Sequence, residues 1–194
     1  MELRISKTIQ DSIVDGPGLR YVIFTQGCHH DCFGCHNPGT HDPAGGYIIT
    51  IDEILKEIDE NPLLFGVTIS GGEPILKSNI DPLVSLCRKI KERDLDIIMY
   101  TGFTWEELWY YRGHAVKTNA VVFRSREQFF DLFKNIDILV DGRYLHHCRT
   151  FKHPFIGSTN QRIIDVYLTM KHGGVINEKV LGPGTSWKQD YPKL

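Results

Sequence analysis

The stretch Asp15-Gly16-Pro17-Gly18-Leu19-Arg20-Tyr21-Val22-Ile23-Phe24-Thr25-Gln26-Gly27-Cys28-His29-His30-Asp31-Cys32-Phe33-Gly34-Cys35-His36-Asn37-Pro38-Gly39-Thr40 decides how the chain reads. Its first four residues are turn chemistry: glycine tolerates positive φ and proline fixes its own. Residues 19–26 are dominated by Tyr, Val, Ile and Phe and predict a buried strand. That strand runs into a loop holding three of the five cysteines, spaced Cys-x3-Cys-x2-Cys. Three thiolates leave a four-ligand site one short of closure, and an open position is where chemistry can occur.

Outward from this stretch, strand, loop and helix alternate. Thr50 and Glu53 form a capping box ahead of Ile51, Ile54, Leu55 and Ile58, which recur at helical spacing. Phe65 to Ile69 predicts a second strand, ending at Ser70-Gly71-Gly72-Glu73-Pro74. Asp81 and Pro82 read as the N-cap and first residue of a helix carrying Leu83, Leu86, Cys87 and Ile90. Leu95 to Tyr100 is a third strand, followed by Thr101-Gly102. Thr104 with Glu107 opens a short helix through Trp109, and Ser125 with Gln128 opens one holding Phe129, Leu132 and Phe133. Ile136 to Val140 is a fourth strand, stopped by Asp141-Gly142, and Ile163 to Leu168 is the last. Residues 1–18 read as a lead-in and residues 40–46 and 146–162 as loops.

Strands separated by helices and about thirty residues apart point to parallel βα units with right-handed crossovers. At 194 residues the chain is too short for an eight-stranded barrel, which takes about 250. The expected fold is therefore α/β, a partial (β/α) barrel of five or six mostly parallel strands. Residues 1–170 form a single domain in this reading, and the Gly-, Pro- and Lys-rich residues 171–194 a C-terminal tail. Ligands of such sheets sit at the C-terminal ends of the strands. The cysteine loop, Ser70–Pro74 and Tyr100–Gly102 all fall at that edge.

Composition narrows the function. Hydrophobic residues make up 41% of the chain and charged residues 24%, with a formal net charge of -2. That supports a real core and gives no basic surplus for nucleic-acid binding. No apolar run approaches the ~20 residues of a membrane span, and Met1-Glu2-Leu3-Arg4 opens no secretory segment. These features predict a cytoplasmic protein with neither nucleic acid nor membrane as partner. An odd cysteine count, with three crowded into eight residues, reads as metal ligation rather than as a disulfide framework. Clustered thiolates suit zinc or an iron–sulfur cluster. A Cys3His zinc site would take His29, His30, His36 or His41 as fourth ligand, although zinc ligands usually come as two separated pairs. A four-iron cluster with three cysteine ligands is the other reading. Cys87 falls on an apolar helix face and reads as core. Cys148, beside His146 and His147, reads as part of a polar turn, with a Cys/His metal site as its alternative.

The Cys-x3-Cys-x2-Cys loop after the first strand of a βα protein resembles the radical S-adenosylmethionine (SAM) superfamily. The resemblance implies that Cys28, Cys32 and Cys35 hold one [4Fe-4S] cluster. Its unique iron would bind the amino and carboxylate groups of SAM. One electron would then cleave SAM to methionine and a 5′-deoxyadenosyl radical, the cofactor supplying the hard chemistry. Gly71-Gly72-Glu73 resembles the superfamily's Gly-Gly-Glu motif, which binds the SAM amino group; taken alone it could be a tight turn. By the same resemblance Gly34 and His36 line the SAM site. An aromatic residue beside the last cysteine is frequent in the superfamily. Here Gly34 stands immediately before Cys35, and Phe33 one earlier.

Further segments narrow the resemblance to the glycyl-radical-enzyme activases, and among them to those serving anaerobic ribonucleoside-triphosphate reductase. They are Val14–Gly18, Gln26–Cys28, Cys35–Pro38, Tyr100–Phe103 with Glu106–Leu108, Ile138–Gly142, and Gly157-Ser158-Thr159-Asn160-Gln161-Arg162. The last is the most specific, because radical SAM enzymes in general do not carry it. The implied partner is the large catalytic subunit of anaerobic ribonucleotide reductase. The implied electron source is external, such as flavodoxin, since no second cysteine cluster exists. Hydrogen removal from a backbone Cα needs no side-chain acid or base, so no catalytic residue is expected beyond the cluster and SAM. Residues 111–130 and the tail are longer than a minimal activase needs. An activase of pyruvate formate-lyase is the nearer alternative; a zinc-stabilised or electron-transfer protein is the farther one.

Overall fold

The computed structural model describes residues 1–112 and 123–177. The lead-in is itself a strand, β1 (Glu2–Ser12), antiparallel to β2 (Arg20–Thr25). Only its first half alternates cleanly, with Leu3 and Ile5 buried between more exposed neighbours. That is the weak signature of a strand near a sheet edge. β3 (Tyr47–Thr50) pairs antiparallel with the other side of β1. α1 (Ile51–Asp59) begins on Thr50 with both bonds of the capping box formed, and buries the four apolar positions predicted for it.

β4 (Gly66–Gly71) runs parallel to β2. α2 (Ile80–Lys91) starts earlier than expected: Asn79 is its N-cap, without a side-chain cap bond, and Asp81 lies in the first turn. A carboxylate there still complements the helix dipole. β5 (Asp96–Tyr100) is parallel to β4, and α3 (Trp105–Tyr111) opens on the Thr104–Glu107 capping box. α4 (Arg126–Phe133) is capped by Ser125, which accepts from the Gln128 amide. β6 (Ile138–Asp141) is parallel to β5, and β7 (Arg162–Asp165) turns back antiparallel to β6. The last strand ends at Asp165 rather than Leu168. The Asp165 side chain accepts from the Leu168 amide and starts α5 (Val166–His172).

The sheet has seven strands in the order β3-β1-β2-β4-β5-β6-β7. Its four central strands are parallel and its additions to the expected count are antiparallel, at the edges. The α/β class and the mostly parallel centre therefore hold, with more strands than the sequence announced. Alternate residues face opposite sides. Tyr21, Ile23, Val67, Ile69, Ile97, Met99 and Leu139 pack with the helices in the main core. The other face carries Arg20, Thr68, Ile98, Tyr100 and Val140. There the fully buried Arg20 donates to Thr68 Oγ1 at 2.7 Å and to Asp96 Oδ1 at 2.5 Å. Thr68 Oγ1 donates in turn to the Asp15 carbonyl at 2.7 Å. The Asp15–Gly18 turn is thus folded against the sheet beneath the strand ends.

Packing continues past residue 170. The Asp165 amide donates to the Ile176 carbonyl at 3.0 Å, and Asn177 bridges to Ile164. Residues 178–194 of the expected tail, and residues 113–122 of the long segment 111–130, lie outside the described residues. No helix among the described residues is long and apolar enough to cross a membrane.

Candidate active site

The C-terminal ends of β2, β4 and β5 open into one cavity of about 450 Å³. Cys28, Cys32 and Cys35 line it, as do Gly71–Glu73 and Tyr100–Gly102, with Gly142–Tyr144 and Phe155–Gly157 forming a further wall. Three segments far apart in sequence thus meet at the edge where a parallel sheet places its ligands.

The loops after β2 and β4 are joined by backbone. The Gly72 amide donates to the Thr25 carbonyl and the Glu73 amide to the Gly27 carbonyl, each at 2.8 Å. A Cβ at Gly71 would lie 2.7 Å from the Phe24 backbone, and one at Gly72 would collide with the Gly27 carbonyl. Paired glycines are what this approach requires. Glu73 is fully buried, and its carboxylate is engaged by four protein donors. Oε1 accepts from the Ile75 amide and Thr101 Oγ1; Oε2 accepts from the Gly102 amide and His30 Nε2, all at 2.8 Å. The oxygens expected to face the SAM ammonium are already used in tying three loops together.

The cysteine loop is closed at its base. Gly27 and Cys28 donate to the carbonyls of Thr40 and His41 at 2.8 and 3.2 Å. Gln26 Nε2 donates across to the Gly39 and Asp42 carbonyls at 3.1 and 2.7 Å. The Asn37 amide donates to Cys35 Sγ at 3.3 Å. All three thiols are free. Burial, with the Glu73 carboxylate and the other thiols adding to it, pushes Cys28 up to about 11. Burial, then Cys35, raises Cys32 as well. Metal ligation must displace these protons.

The donor set fits an iron–sulfur cluster. Among the described residues, no three His, Cys, Asp or Glu side chains gather as a single-ion site needs. One zinc ion requires every sulfur about 2.3 Å from a common centre. Three thiolates on one loop are the donor chemistry that an iron–sulfur cluster takes. The cavity also falls within the range of about 300–1,000 Å³ that takes a small organic molecule.

His36 lines the cavity, its ring 4.6 Å from that of Tyr144. Gly34 is not among the lining residues. It turns the loop with φ +72°, and a Cβ there would meet His146 at 2.7 Å. Phe33 is 81% exposed, with its ring edge-on to His146 at 5.2 Å. Cys87 is buried core, and Cys148 ends a short 3-10 turn, His146–Cys148.

Two roles were not legible in the sequence. One is His30, whose side chain is 2% exposed and bonded to Glu73. Its only sequence signal was a second histidine after the first cysteine. The other is a clasp built by the Gly157–Arg162 segment. Asn160 Nδ2 donates to the Arg143 carbonyl at 2.8 Å and Gln161 Nε2 to the Gly142 carbonyl at 3.0 Å. Gln161 Oε1 accepts from the Gly157 and Ser158 amides. Arg162 forks onto both oxygens of Asp141 and both of Glu106. The segment holds the far wall of the cavity.

A family model described as a 4Fe-4S single cluster domain matches residues 14–164. The chain belongs to this iron–sulfur family. The anaerobic ribonucleoside-triphosphate reductase-activating protein of Enterobacteria phage T4 is 29% identical over 155 residues, covering 77% of this chain and 86% of its own. The protein of the same description from Escherichia coli K12 is 30% identical over 155 residues, covering 77% and 90%. The pyruvate formate-lyase-activating enzyme of Staphylococcus aureus USA300 is 42% identical over 161 residues, covering 78% of this chain and 57% of its own. Among solved structures, QueE from Escherichia coli matches with a TM-score of 0.43 and 14% identity, covering 73% of this chain and 70% of that one. This member of the iron–sulfur family is a radical SAM activating enzyme, with one [4Fe-4S] cluster and SAM as its cofactors.

Proposed function

We propose that the protein places a glycyl radical on the large catalytic subunit of an anaerobic ribonucleoside-triphosphate reductase. The observation that carries this reading is the meeting of Cys28, Cys32 and Cys35 with Gly71–Glu73 at one open cavity, in a chain that spans 86–90% of the reductase activators it resembles. Cys28, Cys32 and Cys35 would hold the cluster, and the Gly71–Gly72 backbone and His36 would border SAM. The bound cluster and SAM would together supply the one-electron, hydrogen-abstracting chemistry that a glycine Cα requires. The chain's own task is to orient and to exclude water. The Glu73-centred bonds fix the three loops that would border the cofactors, and the Asp141–Arg162 clasp fixes the wall opposite. With a single cysteine cluster, the electron comes from an external carrier of the flavodoxin kind.

The 42% identity to a pyruvate formate-lyase-activating enzyme favours that lyase as the second reading. One experiment separates them. The cluster-loaded protein is reduced and mixed anaerobically with SAM and either the reductase subunit or pyruvate formate-lyase. A glycyl-radical doublet in electron paramagnetic resonance is expected with the reductase. A doublet with the lyase alone would transfer the assignment to the second reading.

A further inference from the structure

His30 lies between two of the cluster cysteines in sequence, yet its side chain points away from solvent and into the wall of the cavity. Its Nε2 sits 2.8 Å from Glu73 Oε2. A carboxylate accepts and does not donate, so Nε2 carries the proton of this bond. The ring is clamped from the other side as well. It meets Phe103 edge-on at 4.7 Å, and a Cβ at Gly102 would collide with it. The opposite ring nitrogen, Nδ1, is buried with no hydrogen-bond partner among the described residues. An orphaned buried polar atom is a standing cost. An aliphatic side chain of similar size would fill the space beside Phe103 without it. The imidazole is therefore explained by what Nε2–H does.

We propose that His30 is a positioning residue of the activase. It locks the cysteine loop to the Glu73–Gly102 wall, so that the cluster and SAM are held in one register. The backbone bonds from Gly72 and Glu73 join these loops only at their base, at Thr25 and Gly27. His30 makes the connection farther out, between Cys28 and Cys32, and through Glu73 it reaches Thr101 and Gly102. His30 thereby joins the cysteine loop to a carboxylate that Thr101 and Gly102 already hold. The inference rests on the radical SAM reading of the cavity.

The test uses the full chain, reconstituted anaerobically with iron and sulfide, as wild type, His30→Leu, His30→Gln and Gly102→Ala. Iron and sulfide content, the SAM dissociation constant by equilibrium dialysis, and the spectrum of the reduced cluster with and without SAM are measured. His30→Leu is expected to keep its cluster while its SAM dissociation constant rises by about 10- to 100-fold, the usual effect of removing an outer-shell partner. The SAM-induced spectral change then needs correspondingly more SAM. His30→Gln, which keeps an N–H for Glu73, recovers most of the affinity. Gly102→Ala, which pushes the ring off Glu73, loses it as His30→Leu does. The proposal is overturned by wild-type affinity in His30→Leu, by loss of its cluster, or by equal loss of affinity in His30→Gln. If His30→Leu does not fold, wild-type affinity in Gly102→Ala overturns it. A wild-type protein with a full cluster and no spectral response to SAM overturns the radical SAM reading itself, and this inference with it.

Discussion

Glu73 sits where four donors from three loops converge on one buried carboxylate. Replacing it with alanine strands two backbone amides, a hydroxyl and an imidazole in the protein interior. Leaving a buried donor without its partner costs about 1–3 kcal/mol. Glu73→Ala is therefore expected to lose that much unfolding free energy in urea even without iron. A denaturation midpoint equal to that of wild type would show that the network relaxes without cost. Cys32→Ala makes a different demand. Its thiol has no packing role in the main core, so the apoprotein should keep wild-type stability. Iron incorporation should fall and reductive cleavage of SAM should stop. Undiminished 5′-deoxyadenosine formation would remove Cys32 from the ligand set. The sequence marked both residues as cofactor contacts; the structure adds that the Glu73 carboxylate also ties loops together. A Gly-Gly-Glu string discloses a close approach but not which donors will surround the carboxylate.

At the scale of elements, the Asp141–Arg162–Glu106 clasp joins β6, β7 and α3. Asp141 is buried and also accepts from the Trp105 amide at the start of α3 at 2.8 Å. Arg162, bonded first to Asp141 and then to Glu106, is held firmly in its charged form. The Arg162 hydrogen bond, helped by its charge, lowers Glu106 below the ordinary glutamate value of 4.5. A carboxylate whose folded value is depressed stabilises fully above its unfolded value and loses that contribution as pH falls through the folded one. The stability difference between wild type and Glu106→Gln should therefore be constant above about pH 6 and shrink below about pH 4.5. A difference that grows on acidification would contradict the pairing. Arg162→Lys keeps the charge but not the fork, so it should loosen residues 142–161 and speed their proteolysis. Elements with such local chemistry were legible beforehand. Thr50 with Glu53 and Thr104 with Glu107 announced their helices because a capping box is written within four residues. β1 and β3 were missed because an antiparallel pair near a sheet edge buries few side chains, and its partner lies more than forty residues away at Glu2↔Thr50. The clasp was visible only as a string, because Asp141, Glu106 and Arg162 are brought together by the topology.

Across the whole molecule, stability and function are segregated. The main core lies between the helices and one face of the sheet, and draws on no residue of the cysteine loop. The site lies at the strand ends, where Phe33, Gly34 and His36 are exposed and the loop is tied chiefly at its base. Loop and core should therefore respond differently when the cofactors enter. A ligand that binds only the ordered form stabilises that form by mass action, and a cluster adds a direct link between three side chains of one loop. Reconstitution with iron and sulfide should slow amide exchange in residues 27–41, and SAM should extend that protection to residues 71–73 and 100–103. The amides of α1 and α2 should keep their apoprotein rates, since their burial is complete without the site. Protection that rose equally in α2 and in the cysteine loop would mean that the cofactors stabilise the fold globally, and the separation of core from site would fail.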